Sequence, residues 1–262
     1  MSVGILEIVT IITMFQLLLF SIFLFVRKTK NISNYILGVQ LFSQAAGIFT
    51  GFCYSQFNYF FENSPSLIFI GFPFSYLWGP TFYLYVKSAA YINFKFRKLD
   101  VLHFLPFIVL VIFLLITYFP LTFEEKRSIF INRTYLLISL SNILHIFLRL
   151  QVLVYIILSI YTFVLLRKEL KERYSLLSTT NLSWIKFLVI GFTVSYFLTI
   201  PLIIYGRIIG YHNSLINLLI IAPYFIYFNI IFFKAWYSPQ LFSGLEESVK
   251  YKSSKLTKEE AD

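Results

Sequence analysis

Two ionisable residues lie inside long apolar stretches of this sequence, where a charge is costly and therefore a candidate for function. Glu7 and Arg149 are each separated by 18 or 19 residues from the basic residues that close their stretch, which is ~28 Å at the rise of an α-helix. Both therefore lie near one surface of a ~30 Å hydrocarbon layer. One interpretation is an ion pair that lines a ligand pocket together with His145 and Gln151. The other is two side chains that reach water independently.

No pattern in the sequence predicts catalysis or metal binding. Asp100 and Asp262 are the only aspartates, and both fall in polar segments, which excludes an intramembrane aspartyl protease with two buried carboxylates. The three histidines lack the i, i+4 spacing of a helical metal site. Cys53 is the only cysteine, so no intrachain disulfide can form. We expect a protein that is not an enzyme, with no catalytic residue, no metal and no cofactor.

Proline and glycine mark a candidate hinge in the third apolar stretch. Pro73 and Pro80 are seven residues apart, which places them on one face of a regular helix, and Gly79 precedes the second proline. Proline removes a helix hydrogen bond and can kink the chain. The segment is either a hinge that moves when a signal binds or a fixed kink, which membrane helices tolerate.

A stripe of small residues follows the second apolar stretch at intervals of four. Such a stripe allows two helices to approach closely. It favours either a dimer interface or packing within the helix bundle. The stripe consists of Ser43, Gly47, Gly51 and Ser55.

The composition indicates a membrane protein built from helices. Of 262 residues, 58% are hydrophobic and only 13% are charged, which excludes a soluble enzyme, a disordered chain and a disulfide-rich scaffold. A membrane helix needs ~20 apolar residues. The sequence predicts an all-α bundle of seven transmembrane helices, at about residues 4–26, 35–59, 67–86, 101–120, 146–166, 184–206 and 214–233.

The distribution of lysine and arginine predicts the orientation. If the N-terminus is outside, the inside segments carry seventeen of these residues and the outside segments four. This bias agrees with the positive-inside rule and places the C-terminus in the cytoplasm. The net charge of +10 then reflects topology and not a nucleic-acid surface.

One boundary stays open at this point. Residues 134–148 are either an interfacial helix that leads into the fifth span or the first part of one long tilted helix. We divide the chain into a membrane domain, 1–238, and a cytoplasmic linker, 239–262. Thr257 and Glu260 have the spacing of a capping box, which predicts that a further helix begins there.

Four segments carry a resemblance to a known family. They are residues 77–80 with 83–86 (Leu-Trp-Gly-Pro and Tyr-Leu-Tyr-Val), 100–107 (Asp-Val-Leu-His-Phe-Leu-Pro-Phe), 181–184 (Asn-Leu-Ser-Trp), and 250–256 with Glu259 and Glu260. In order and spacing the chain resembles the membrane portion of AraC-type transcription regulators of Bacteroidetes. In that family a multi-span domain precedes a helix-turn-helix domain.

The resemblance implies a sensory module in the bacterial inner membrane. A signal of unknown identity would alter the packing of the helices, and the linker would pass that change to a DNA-binding domain. The helix-turn-helix region is not in this chain, so DNA is a partner only through a domain outside it. The other expected partners are the lipid bilayer and a second copy of the chain, since such output domains often work in pairs. Candidate pocket residues are Glu7, Trp78, Tyr83, His145, Arg149 and Gln151.

Three other classes of protein share parts of this pattern. A receptor of the G-protein-coupled kind has the same topology, but it would need a disulfide and an acidic-Arg-aromatic motif that Lys87 and its neighbours do not provide. A small-molecule transporter would show internal repeats, and none is evident. The same input module could also be joined to another output, such as a kinase. An integral-membrane enzyme lacks support because catalytic clusters are missing.

Overall fold

The chain folds entirely into helices in the residues that can be described. The computed structural model describes residues 4–27, 31–90, 94–131, 135–173, 179–209 and 214–237. These residues contain nine α-helices and no strand. The all-α prediction is confirmed for this part of the chain, and the linker 239–262, with Thr257 and Glu260, lies outside it.

Three 3₁₀ segments accompany the α-helices in the described part of the chain. The 3₁₀ segments are Pro65–Ile68, Pro73–Leu77 and Lys98–Phe104. The α-helices are α1 (Ile5–Val26), α2 (Ile32–Ser55), α3 (Phe57–Asn63), α4 (Trp78–Ala90), α5 (Leu105–Thr117), α6 (Phe123–Ile131), α7 (Tyr135–Arg173), α8 (Thr179–Ile209) and α9 (Ser214–Tyr237).

Local sequence explains where several of these helices begin. The Asn31 side chain accepts a hydrogen bond from the backbone amide of Ser33 at 3.0 Å and so caps α2. At the start of α6, Glu125 accepts hydrogen bonds from the backbone amide and the hydroxyl of Thr122. These bonds to its charged form lower the pKa of Glu125.

Seven stretches of the described chain are long and apolar enough to cross a membrane. This confirms the predicted number of spans. They are Ile5–Val26, Ile32–Ser55, Pro65–Ala89, Lys98–Thr117, Asn142–Lys168, Leu182–Gly206 and Leu215–Tyr237.

Six of the helices form a closed ring. In order around the ring, α1 packs on α2, α2 on α4, α4 on α7, α7 on α8, α8 on α9, and α9 returns to α1. Inside the ring α4 also reaches α8, where the rings of Phe82 and Phe192 stack with centroids 4.3 Å apart. Helix α5 packs mainly on the 3₁₀ segments and leaves most of its apolar surface exposed. An apolar exposed surface of this kind suits a helix that faces lipid.

The third span departs from the regular helix that the sequence predicted. Its first half consists of 3₁₀ turns, and the α-helix begins only at Trp78. Pro65 and Pro73 each start a 3₁₀ segment. Proline suits this position because the backbone N–H that it lacks would have no hydrogen-bond partner within the helix there. Pro73 and Pro80 therefore do not share one face of a single α-helix, as their spacing of seven suggested.

The ambiguity at the fifth span is resolved in favour of one continuous helix. Helix α7 runs for 39 residues without a break, which is ~58 Å at helical rise. It is therefore longer than the ~30 Å hydrocarbon layer requires. The second span ends earlier than predicted, because the chain turns at Gln56 and continues as the separate helix α3.

Candidate functional site

Three of the four segments that carry the family resemblance meet at one end of α4. The first contact is an ion pair between α4 and the 3₁₀ segment that precedes α5. Lys87 Nζ lies 3.0 Å from Asp100 Oδ1, and the Asp100 side chain is only 6% exposed. The other carboxylate oxygen accepts a hydrogen bond of 2.8 Å from the backbone amide of Arg97. Both oxygens of this buried carboxylate are thus satisfied, which its burial demands.

A histidine and two tyrosines extend this contact to α7. His103 Nδ1 and the Tyr155 hydroxyl are 2.8 Å apart. The Tyr83 ring contacts both Lys87 and His103. Its centroid lies 5.8 Å from Lys87 Nζ and 5.6 Å from the centroid of the His103 ring. The ammonium is therefore held both by a carboxylate and by the face of an aromatic ring.

A tryptophan connects the same end of α4 to α8. Trp184 Nε1 donates a hydrogen bond of 2.9 Å to the Tyr85 hydroxyl, and both side chains are buried. Phe187, one turn further along α8, stacks on Trp184 with ring centroids 5.9 Å apart. Lys234 Nζ of α9 lies over the Phe187 ring, 4.1 Å from its centroid. We call this set of contacts the basic end of the bundle. It consists of Tyr83, Tyr85, Lys87, Asp100, His103, Tyr155, Trp184, Phe187 and Lys234.

The arrangement of the basic end suits mechanical coupling better than chemistry. Its hydrogen-bonding groups are largely paired with one another, and among the described residues no three His, Cys, Asp or Glu side chains cluster as metal ligands would. Instead four elements, α4, the 98–104 segment, α7 and α8, share one connected set of contacts, and α9 joins it through Lys234. A shift of any one of them changes the contacts of the others.

The predicted pair of Glu7 and Arg149 is not formed. The Glu7 carboxylate is buried and accepts hydrogen bonds from Gln56 Nε2 and from the Gly4 amide, both at 2.9 Å. It therefore does not pair with Arg149, because a neutral partner at the turn that follows α2 satisfies it. On α7 the backbone carbonyl of Arg149 accepts a hydrogen bond of 2.5 Å from the Tyr196 hydroxyl.

The six candidate pocket residues lie in several places and do not form one pocket. Glu7 is near the end of α2 that is remote from the basic end, and Tyr83 belongs to the basic end itself. The His145 ring packs on the Phe72 ring at 4.7 Å. Trp78 points in another direction, towards α2, where its indole N–H donates to the Ser43 carbonyl at 2.9 Å.

Two candidate residues that the sequence analysis treated separately, Gln151 and Pro80, are related through the backbone carbonyl of Tyr76. Gln151 Nε2 donates to the backbone carbonyl of Tyr76 at 3.3 Å. The residue four positions after Tyr76 is Pro80, which has no N–H to offer that carbonyl. A side chain of α7 thus supplies a donor where proline lacks one. Gly79, next to it, packs so closely on α7 that an added Cβ would lie 2.7 Å from the Tyr155 ring.

The small-residue stripe of α2 is divided between two environments. Ser43 is fully buried, and a Cβ added to Gly47 would lie 2.3 Å from Trp78 Cζ2. A Cβ at Gly51 would meet nothing within 4 Å, and Ser55 is half-buried. The first two members therefore serve packing within the bundle, and only the Gly51 end is open.

Sequence reasoning missed most of the basic end. Lys87 was counted only as a topological charge, and Tyr85, Tyr155 and Trp184 are three of many aromatic residues. Their partners are 13, 52 and 99 residues away along the chain, so no local spacing could reveal them. The one available signal was that Tyr85, Asp100 and Trp184 all fall in segments chosen for the resemblance.

Comparison with known proteins gives no further guidance, because no family model, curated protein or solved structure matches the chain.

Proposed function

We propose that this chain is the membrane-embedded sensory module of an AraC-type transcription regulator. A signal biases the helix bundle between two packings, and α9 passes the change through residues 239–262 to a DNA-binding domain beyond residue 262. The bacterial inner membrane, an outside N-terminus and a cytoplasmic C-terminus are parts of this proposal.

The observation that carries the proposal is the convergence of the 77–86, 100–107 and 181–184 segments at the basic end. These segments are far apart in the sequence, and their similarity to the family does not depend on contacts between them. The Tyr83–His103 and Trp184–Tyr85 contacts bring them together, at the end of α4 for which the distribution of basic residues predicts a cytoplasmic position. A module that acts on a cytoplasmic domain needs its moving contacts on that side.

The route from the basic end to the linker is short. Trp184 contacts Phe187, and the Phe187 ring contacts Lys234, which lies in the last turn of α9. Residues 239–262 follow directly. A change in the packing of α4 against α8 can therefore reach the end of α9 through two side-chain contacts.

The first test is to sequence the gene beyond codon 262. We expect an open frame of about a hundred residues with two basic helix-turn-helix patterns, the size of a small DNA-binding domain. A stop codon at once, or an output of another kind, would contradict the proposal.

The second test uses the full-length protein and compares two tryptophan substitutions. Trp184→Phe removes the N–H that contacts Tyr85, whereas Trp236→Phe changes a side chain that is 72% exposed at the end of α9. We expect Trp184→Phe to alter transcription of the regulated genes at unchanged protein level, and Trp236→Phe to leave it unchanged. Equal transcript profiles for both variants and the natural protein would count against the coupling route.

A small-molecule transporter is the second candidate, favoured by polar side chains buried within the spans. Gln40 and Gln44 of α2 and Thr81 of α4 are all less than 5% exposed. Transporters bind their substrates near the middle of the membrane. A stop codon after residue 262 together with uptake of a solute by the purified chain in liposomes would establish this alternative.

A further inference from the structure

Gln44 has no hydrogen-bond partner although it is almost completely buried. It is 1% exposed, and neither Nε2 nor Oε1 of its side chain finds a partner in the structure. It lies halfway along α2, and so at the middle depth of the second span. Buried side-chain amides in proteins are nearly always paired, so an amide with both atoms unpaired calls for a specific explanation.

The neighbours of Gln44 on α2 define the direction of its side chain. Gln40, one turn earlier, accepts a short hydrogen bond from the Thr81 hydroxyl of α4. Gly47, nearly one turn later, lies against the Trp78 ring. Residues three and four apart share a helix face, so Gln44 lies on the side of α2 that meets α4, between these two contacts. Gln40 is satisfied across that interface and Gln44 is not.

We propose that Gln44 is the recognition residue of a binding site between α2 and α4 for a small uncharged polar molecule. The free N–H₂ group and the free carbonyl match a ligand with one acceptor and one donor on neighbouring atoms, as in a carboxamide or a neutral carboxylic acid. Its neighbours along this face, Gln40, Gly47, Trp78 and Thr81, carry no charge, so a charged ligand would be buried without a counter-ion.

The site would give the proposed sensory function its signal pocket, and in that respect it rests on the proposed function. Trp78 opens α4 and contacts Ser43 and Gly47, which lie before and after Gln44 on α2, so a ligand at Gln44 lies close to the helix whose other end forms the basic end. Binding itself does not depend on the nature of the output domain.

Acrylamide is a suitable probe because it carries a carboxamide and quenches tryptophan fluorescence. Trp184→Phe and Trp236→Phe together leave Trp78 as the only tryptophan of the chain. Collisional quenching shortens the fluorescence lifetime in proportion to the loss of intensity. A bound quencher lowers the intensity without changing the lifetime of the unbound fraction, and the fraction quenched in this way saturates as the site fills. We expect a saturating component in the purified chain, and competition by acetamide, which pairs in the same way and does not quench.

Three substitutions at matched positions test the role of Gln44. Gln44→Met keeps the size of the side chain and removes the amide, and we expect the saturating component to weaken at least tenfold. Gln44→Asn retains a carboxamide, and we expect the saturating component of quenching to remain, with a lower affinity for acrylamide. Gln16→Met changes another glutamine at middle depth, one that donates to Asn229 on α9, and leaves quenching unchanged.

If the intensity and the lifetime of Trp78 fall in equal proportion in the single-tryptophan chain, or if the saturating component survives Gln44→Met, the proposal is overturned. An unchanged emission maximum of Trp78 in Gln44→Met shows that the variant is folded. A stop codon after residue 262 would refute the sensory function without affecting this result, so the two failures are distinguishable.

Discussion

Gly47 and Gly51 lie one turn apart on α2 and offer a matched pair of sites. Gly47→Ala places a methyl group 2.3 Å from Trp78 Cζ2, so the indole or α2 itself must move. Overpacking of this kind costs about 1–3 kcal/mol. We expect the free energy of unfolding in mixed micelles to fall by that amount.

Gly51→Ala is the control for this prediction, since the same substitution meets nothing within 4 Å. Alanine favours a helix over glycine by about 1 kcal/mol, so stability should be unchanged or slightly higher. Equal losses for the two variants would show that the Trp78 contact is not what makes glycine necessary at position 47.

The ion pair of the basic end can be tested in the same way. Lys87→Met leaves the buried Asp100 carboxylate with only the Arg97 amide as partner. Breaking a fully buried pair costs about 3–5 kcal/mol. Lys87 is partly exposed, with 26% of its side chain accessible, and we expect a smaller loss, about 2 kcal/mol in the free energy of unfolding. The double variant Lys87→Met, Asp100→Asn should recover part of it, because no charge is then left unpaired.

Glu124→Gln provides the comparison for that measurement. Its pair with Arg127 spans 3.7 Å and the Glu124 side chain is 79% exposed, so water already solvates the charge. A change below about 0.5 kcal/mol is expected. A loss as large as that of Lys87→Met would mean that burial does not determine the strength of these pairs.

At the scale of elements, α7 contacts the start of α4 through the hydrogen bond from Gln151 to the Tyr76 carbonyl. A double-mutant cycle can measure how far this bond depends on Pro80. Gln151→Met removes the donor to the Tyr76 carbonyl and should cost about 1 kcal/mol. Pro80→Ala supplies a backbone N–H four residues after Tyr76, which can take over that acceptor. In the Pro80→Ala background, the cost of Gln151→Met should therefore fall below about 0.5 kcal/mol. Equal costs in both backgrounds would show that Gln151 does not compensate for the proline.

The sequence predicts some elements well and others poorly, for a physical reason. Helices α1, α8 and α9 follow from apolar length alone, and their bounds agree with the predicted spans within about five residues. The third span is also apolar enough to cross a membrane, but its first half is not α-helical, because Pro65 and Pro73 each begin a 3₁₀ segment. Apolar composition fixes the depth of a residue in the membrane, and it does not distinguish one helical geometry from another.

The same limit explains which site residues could be predicted. The sequence singled out Glu7 as an acid in an apolar stretch, either paired with Arg149 or reaching water; in the structure Glu7 is buried and its partner is the neutral Gln56. A search for pairs of opposite charge overlooks amides such as Gln56 and Gln44. Contacts between helices depend on how each helix is rotated about its own axis. Apolar residues occur on every face of α4, so the sequence does not show which face packs against the neighbouring helices.

At the scale of the molecule, the ring of six helices explains why the basic end can act as a unit. Each helix of the ring has two neighbours in it, and α4 also contacts α8 across the interior. A rotation of α4 therefore changes contacts on both sides of the ring. Helix α5 lies outside it, and the 3₁₀ segment directly before α5 carries Asp100 and His103. The Lys87–Asp100 ion pair therefore connects α5 to the basic end.

The orientation of the whole molecule leads to the last prediction, since seventeen basic residues against four assign the basic end to the cytoplasm. Cys53→Ala removes the only cysteine, and single cysteines can then be placed on either side of α5. Glu124→Cys lies on α6, after α5, and Lys95→Cys lies before it, and both positions are exposed. With a maleimide that does not cross the inner membrane, we expect Glu124→Cys to react in intact cells and Lys95→Cys to react only after lysis. The parent without cysteine should not react at all. The reverse pattern would place the basic end outside, and a cytoplasmic output domain could then not be reached by the contacts of Trp184 and Lys234.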